Sequence, residues 1–311
     1  MSAPDTRLDG AAADEGLPRI YALNLVKDEA DIIGLCLRHA SRFCTKIFVL
    51  DNGSTDGTWE ILQDLAGELP AVELLGRKEE LFAQGFRALM FDRTRHVYQP
   101  GDWVLVLDSD EFLQTDPRPY LRDHVSPEIE CIELFFAQFY VTHGDLGTDW
   151  FEQGPTPIGS FEELPRHFRI DHAERRLIRY RHDLEWPIRN EDGAYRQLGF
   201  PVNIRRKIRP GLVARHYQYR SREQMQRRVR QRARVGRKTG RFGHSRDPDW
   251  RPYVQEAREL RFAGPGHRIE VTARERLNVW LKRDARHLVR RARRVSSRLV
   301  PWLSADAGAE S

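Results

Sequence analysis

The 311-residue chain predicts an α/β protein, with a parallel sheet flanked by helices. Three observations carry that prediction. Short apolar runs alternate with amphipathic helical stretches between residues 18 and 115. Several of those runs end in acidic clusters. After Asp116-Pro117 the alternation stops and longer, irregularly spaced apolar segments take over. Hydrophobic residues make up 40% and aromatics 10%, enough for a core and too many for a disordered chain. No apolar run reaches the ~18 residues that a membrane-crossing helix needs.

Ile20–Val26 reads as a buried strand, and Asp28 as the cap of a helix carrying Ile32, Ile33, Leu35, Cys36, Leu37 and Phe43. Lys46–Leu50 is a second strand, closed by Asp51-Asn52-Gly53. A second helix starts at Ser54-Thr55-Asp56 with Trp59, Ile61, Leu62 and Leu65 inward. Ala71–Leu75 is a short strand, and 80–97 a helix with Leu81, Phe82, Phe86, Leu89, Met90 and Val97 inward. Trp103–Leu107 is a fully apolar strand ending at Asp108. Parallel strands with right-handed crossovers follow from this spacing. Beyond 116, Ile129–Val141 is a long strand. Arg166–Ile170 and Arg176–Tyr180 make a hairpin around Asp171-His172, and Leu212–Tyr217 is a further strand. A capping box of Ser221 and Gln224 opens a helix to about Arg237, and a last helix spans roughly 270–300.

Residues 1–17 are polar, with no charged segment leading into an apolar one, and read as a tail rather than a secretory signal. Cys36, Cys44 and Cys131 form no paired spacing and are expected to stay reduced, as in the cytoplasm. The net charge of +5 conceals an asymmetry. Residues 205–241 carry about +14 and residues 268–300 about +8, leaving the rest near −17. A basic tail on an acidic body seeks phosphate, on a nucleotide, a lipid or a nucleic acid.

Ligands of open parallel sheets bind outside the carboxyl ends of the strands. Here those ends read Val26-Lys-Asp-Glu29, Asp51-Asn-Gly-Ser-Thr-Asp-Gly-Thr58 and Asp108-Ser-Asp-Glu111. Carboxylates converging on one edge repel one another unless a cation joins them. Asp108-Ser-Asp110, directly after a buried strand, suits a divalent metal that keeps free positions for phosphate oxygens. Ser54, Thr55 and Asp56 read better as an ordinary helix start, since Asn-Gly followed by Ser-Thr-Asp is a normal helix entry. The sequence contains neither Gly-x-Gly-x-x-Gly nor a Gly-Lys-Ser/Thr loop, which removes the main support for dinucleotide oxidoreduction and ATP hydrolysis.

These three motifs, in this order and spacing, resemble glycosyltransferases of the GT-A fold, family 2 type, whose soluble members read Lys-Asn-Glu, Asp-Asn-Gly-Ser-Thr-Asp and Asp-x-Asp-Glu-Phe. Ala214-Arg-His-Tyr-Gln-Tyr-Arg-Ser221 resembles the group's closing segment. The resemblance implies a Rossmann-like mixed sheet flanked by helices, and inverting transfer from a nucleotide-activated sugar to an acceptor hydroxyl with Mn²⁺ or Mg²⁺. It implies that Asp51 holds nucleobase or ribose, that Asp108 contacts ribose or metal, and that Asp110 and the late His216 ligate the ion. Asn24 and Ser109 join the donor site, and Arg87 and Arg220 neutralise diphosphate. Glu191-Asp192 is the candidate acceptor base, with Asp149, Glu152 and Glu185 as competitors. Processive synthases of the family carry Gln-x-x-Arg-Trp; here Gln224-Met-Gln-Arg227 is followed by Arg228, which argues against polymerisation.

The expected organisation is a tail (1–17), a GT-A catalytic domain (18–220), a basic helical extension (221–303) and a second tail (304–311). In the last helix Leu277, Trp280, Leu281, Leu288, Val295, Leu299, Trp302 and Leu303 form a stripe among arginines. Two readings stand: a membrane-surface helix on anionic lipid, or a helix docked on the domain. Nucleic acid is disfavoured, since aromatics are not interleaved as stacking platforms. The partners expected are a nucleotide-sugar donor and a glycan or lipid-linked acceptor, at the inner face of the membrane. The alternative is a non-catalytic protein of the same fold that binds nucleic acid or anionic polymer through the basic tail.

Overall fold

The computed structural model describes residues 16–153, 157–208, 211–239 and 248–282. The first half alternates as its apolar periodicity demands: β1 (Ile20–Val26), α1 (Ile33–Ala40), β2 (Lys46–Asp51), α2 (Thr58–Glu68), β3 (Val72–Arg77), α3 (Gly85–Thr94) and β4 (Trp103–Leu107). Then come β5 (Glu111–Leu113), α4 (Arg118–His124), β6 (Cys131–Tyr140), the short α5 (Asp149–Glu152), β7 (His167–Arg179), β8 (Lys207–Ile208), β9 (Val213–His216), α6 (Arg222–Thr239) and β10 (Arg261–Phe262). A last helix, α7, runs over 273–282.

The ten strands of the described residues join one sheet, in the order β3-β2-β1-β4-β7-β6-β9-β5, with β10 on β7 and β8 on β6. Pairings among β1, β2, β3 and β4 are parallel. From β4 onward the sheet is mixed, with β7 antiparallel to both β4 and β6 and β9 antiparallel to β5. Every residue of β1 and β4 is buried, because helices cover both faces. One apolar layer lies under α1, α2 and α4, with Trp103, Phe112 and Phe135 among its largest members. The other, with Phe86, Met90 and Phe91 of α3, lies under the 184–204 segment.

Several local expectations change. Asp28 caps no helix: it adopts a left-handed backbone (φ 54°), and its carboxylate accepts from Thr55 N at 2.8 Å, tying the end of β1 to the end of β2. Asp tolerates that conformation better than bulkier residues do. The second helix starts at Thr58 rather than Ser54, after a left-handed Gly57. The helix expected from 80 begins only at Gly85. Asn52 Nδ2 holds the carbonyls of Lys78 and Glu80 at 2.7 and 2.8 Å, so the segment stays out of helical geometry. Leu81 and Phe82 are therefore exposed instead of inward.

The hairpin expected around Asp171-His172 is the single thirteen-residue strand β7. Its register against β6 slips twice. Ile132 faces Leu177 and Glu133 faces Arg175, which leaves Arg176 unopposed; Phe136 faces His172 and Ala137 faces Ile170, which leaves Asp171 unopposed. A bulge breaks period-two alternation, and that break mimics a turn in the sequence.

The basic extension packs on the rest of the chain where it is described. Met225 and Val229 of α6 are buried with Val141, Phe151 and Tyr219, β10 adds to the sheet, and Ile269, Val271 and Val279 enter the main core. In α7, Leu277, Trp280 and Leu281 remain exposed. The rest of the expected last helix and of the basic extension, 283–303, lies outside the described residues, as do both expected tails apart from Gly16 and Leu17.

Candidate active site

The chain leaves β1 toward β2 and β3, then returns to set β4 on the other side of β1. That reversal opens a crevice at the carboxyl ends of β1 and β4, the general ligand position in such sheets. A cavity of about 720 Å³ occupies it, with Asp108, Ser109, Asp110, Glu111, His216 and Arg228 in its wall.

β4 delivers Asp108-Ser109-Asp110 to this edge, and β5 begins at once with Glu111. The pairing of β5 with β9 sets Glu111 directly opposite His216, although 105 positions separate them in the chain. Donor atoms of Asp110, Glu111 and His216 fall within 4.8 Å of one another. His216 Nε2 lies 3.5 Å from Asp110 Oδ1, while His216 Nδ1 and Asp110 Oδ2 are buried without a hydrogen bond. Two carboxylates and an imidazole, with the buried His216 Nδ1 unspent and Asp110 Oδ2 held only by ion pairing, are a donor set that suits Mn²⁺ or Mg²⁺. This set includes Glu111, whereas the sequence-expected ligands were Asp108, Asp110 and His216.

Four guanidiniums surround these acids. Arg87 on α3 pairs with Asp108. Arg176, the residue that the β7 bulge re-aims, holds Glu111 at 2.6 and 2.8 Å and reaches Asp108 at 3.4 Å. Arg228 on α6 lies 3.1 Å from Asp110 and 2.9 Å from Glu29. Arg220 binds Asp31 through two nitrogens, at 2.7 and 2.9 Å, and also pairs with Glu29. Phe136 underlies the group, stacked on His172, edge-on to His216 and beneath the guanidinium of Arg176.

Burial opposes ionisation of Asp108, but Arg87 and Arg176 outweigh it and hold the carboxyl below its usual range. Burial acts likewise on Asp110, and His216, Arg228 and Arg220 hold that carboxyl well below. Burial pulls the His216 imidazole down and the Asp110 carboxylate lifts it further, leaving it above its ordinary value. Asp108 and Asp110 are thus kept as carboxylates, whereas burial lifts the carboxyls of Glu111 and Glu29 above their usual range against the pull of Arg176, Arg220 and Arg228.

The remaining sequence candidates divide. Asn24 Nδ2 reaches Leu107 O at 3.1 Å and Ser109 Oγ at 3.2 Å, bracing the Asp-Ser-Asp turn from behind. Asp51 is fully buried, and its carboxylate accepts from Gly53 N, Ser54 N and Arg77 Nε at 3.0–3.1 Å, so it shapes its own turn. Arg220 is 1% exposed and spends its donors on Asp31, Glu29 and the Tyr217 carbonyl; it stands behind the crevice wall. Glu191 and Asp192 are not brought to the crevice. Both are exposed on a turn where Asp192 accepts from Ala194 N at 2.9 Å and Gly193 is left-handed. The turn character of Asn190–Gly193 decides their place. Asp149, Glu152 and Glu185 are exposed and also lie outside the crevice wall.

Sequence reasoning assigned no role to Glu29, Glu111, Arg176 or Arg228. Glu29 and Glu111 stand inside motifs already singled out. Arg176 and Arg228 carry no local signal beyond a charge among many.

Over residues 26–191 the sequence matches the family described as Glycosyl transferase family 2. The chain belongs to that family. This family 2 glycosyltransferase has the GT-A architecture of a mixed sheet flanked by helices. A comparison with curated proteins returned no match. Among solved structures the chain is similar to a mannosyltransferase from Pyrobaculum calidifontis in complex with GDP-Man and Mn²⁺. Identity is 16%, with 78% of this chain and 69% of that one covered and a TM-score of 0.39. It is also similar to glucosyl-3-phosphoglycerate synthase from Mycobacterium tuberculosis in complex with phosphoglyceric acid, at 23% identity, 40% and 46% coverage and a TM-score of 0.26. A third likeness is to GalNAc-T7 with UDP, GalNAc and Mn²⁺, at 13% identity, 42% and 24% coverage and a TM-score of 0.30. The chain spans less than half of the last two. Among the described residues no helix of the family 2 glycosyltransferase is long and apolar enough to cross a membrane.

Proposed function

We propose that this glycosyltransferase moves a hexosyl or related sugar from a nucleoside diphosphate to a hydroxyl of a glycan or lipid-linked acceptor, with inversion and with a divalent ion. The observation that carries the reading is the Asp108-Ser109-Asp110-Glu111 turn at the sheet's switch point with His216 opposite. Asp110, Glu111 and His216 would hold Mn²⁺ or Mg²⁺, with Asp108 beside them. The ion supplies a positive charge for the leaving diphosphate. Asn24 and Ser109 fix the turn on which the acids stand. Arg87, on the cavity wall, is one guanidinium suited to the diphosphate once Asp108 turns to ribose or ion. Asp51 supports the nucleobase side by holding the 51–54 turn, and Arg220 supports the ion side through Glu29 and Asp31.

Inversion needs a base on the acceptor side. Glu174 is favoured over Glu191 and Asp192 because it lies on the cavity wall, is 46% exposed and has His172 at 3.9 Å. The Glu191-Asp192 turn would have to leave its present hydrogen bonds to serve. The acceptor is brought to an anionic membrane surface by the basic C-terminal segment, with the active site on the cytoplasmic side.

A thermal-shift panel of UDP-, GDP-, dTDP- and CMP-sugars, with and without Mn²⁺ or Mg²⁺, tests the reading. A ligand bound only by the native state raises the melting point as RT ln(1 + [L]/Kd). The expected result is a metal-dependent shift with one nucleotide, lost in Asp110→Asn together with sugar transfer, while the variant stays folded. No shift with any donor in a folded sample would overturn it and favour a binding protein for anionic polymer.

A further inference from the structure

The acids of the crevice floor already have cationic partners without an ion. Glu29, Asp31, Asp108, Asp110 and Glu111 face the guanidiniums of Arg87, Arg176, Arg220 and Arg228, with His216 beside Asp110. A divalent cation entering alone would bring two positive charges to Asp110, where Arg228 stands 3.1 Å away. Like charges at that range repel strongly in a partly buried site. A nucleoside diphosphate reverses the balance, since it brings the negative charge that both cations lack.

The four arginines are not equally free to respond. Arg220 is enclosed, with three protein groups holding it, and Arg176 is 6% exposed and forked onto Glu111. Arg87 is 8% exposed and braced by Gln84 as well as Asp108. Arg228 reaches in from α6 at the rim. Its side chain is 21% exposed, and its partners are the two carboxylates Asp110 and Glu29. It also stands between two open spaces, the 720 Å³ crevice and a neighbouring cavity of about 480 Å³ lined by α6 and residues 79–82. A long side chain with room on both sides can exchange one anion for another at little packing cost.

We propose that Arg228 is a charge placeholder: its guanidinium holds Asp110 and Glu29 while the crevice is empty, and moves to the donor's diphosphate when the ion takes Asp110. The inference rests on the crevice being the ion and donor site. Its consequence is that ion and nucleotide bind cooperatively, because Arg228 opposes the first and welcomes the pair. Coupling of this kind is reciprocal and ordinarily amounts to 5- to 150-fold.

The test is calorimetric titration of the full chain with Mn²⁺, alone and with saturating UDP, GDP, dTDP or CMP. In the wild type, Mn²⁺ alone is expected to bind weakly, and at least tenfold more tightly with the nucleotide that fits. Arg228→Gln should bind Mn²⁺ alone about tenfold more tightly than wild type, and the nucleotide should then add at least tenfold less. Arg228→Met, which keeps the apolar stem, should do the same and covers the case of a poorly folded Gln variant. Arg228→Lys, which keeps the charge, should resemble wild type, as should Arg222→Gln at the exposed start of α6. If wild type shows the coupling and the neutral variants leave Mn²⁺ affinity unchanged, the placeholder role is overturned while the donor site stands. If wild type binds no Mn²⁺ with any nucleotide, the reading of the crevice falls and this role falls with it.

Discussion

At the scale of single residues, the crevice works by pairing each acid with a cation of a different degree of freedom. Arg176 is the least replaceable, since its fork on Glu111 is buried and removing one partner of such a pair costs about 3–5 kcal/mol. Glu174 stands at the other extreme, exposed, with Arg176 at 2.9 Å and His172 at 3.9 Å. In the proposed inverting transfer a base must meet the acceptor hydroxyl, and exposure on the crevice wall is the property for which Glu174 is proposed. Glu174→Gln is expected to lower kcat by about 10²–10⁴-fold, the usual contribution of general base catalysis, with the donor's thermal shift unchanged. Steady-state kinetics set beside the shift assay decide it. A variant with full kcat returns the role to Glu191-Asp192.

At the scale of elements, α3 and the loop that follows β7 meet backbone to backbone. Gly85 N donates to Arg196 O at 2.8 Å, and Arg196 N donates to Ile188 O at 2.9 Å. A Cβ at Gly85 would stand 2.4 Å from Ile188 O, so the approach exists because residue 85 has no side chain. Residues 197–200 of the same loop form part of the crevice wall. Gly85→Ala should therefore push the loop outward, costing about 1–3 kcal/mol in stability and raising the donor KM with a smaller change in kcat. Urea unfolding and the KM–kcat split measure both parts. Unchanged KM would show that the loop does not shape the donor site. The β7 bulge belongs to the same scale, because one extra residue in a strand turns Arg176 toward the acids.

At the scale of the whole molecule, the charge asymmetry runs along the chain: an acidic body, a basic α6 against the crevice, and a basic stretch from 283 onward. Each cation near an anionic bilayer adds about 1 kcal/mol, and salt screens the attraction. A chain ending at 282 keeps β10 and the buried Val279, and so keeps the core intact. It is expected to retain the donor shift but to lose sedimentation with phosphatidylglycerol vesicles, which the full chain should show at low salt and lose at high salt. Equal sedimentation of both chains would show that the stretch from 283 onward does not carry a membrane contact.

By itself the sequence determined the parallel strand–helix half, because apolar periodicity over 18–115 is a local property that burial on both sheet faces rewards directly. It also determined which acids stand at the sheet's carboxyl edge, since Asp108-Ser-Asp-Glu111 is contiguous with a buried strand. Only the tertiary structure decided which of them share an ion-sized space. Glu111 meets His216 through a strand pairing across 105 positions, and Arg176 arrives through a bulge that reads in the sequence as a turn. It decided as well that Asp51 and Arg220 spend their charge on their own surroundings, that Glu191-Asp192 stays outside, and that an arginine of α6 occupies the side of Asp110. The physical reason is range: local sequence sets periodicity and turns, whereas the partner of a buried charge is whatever the packed sheet brings within about 4 Å of it.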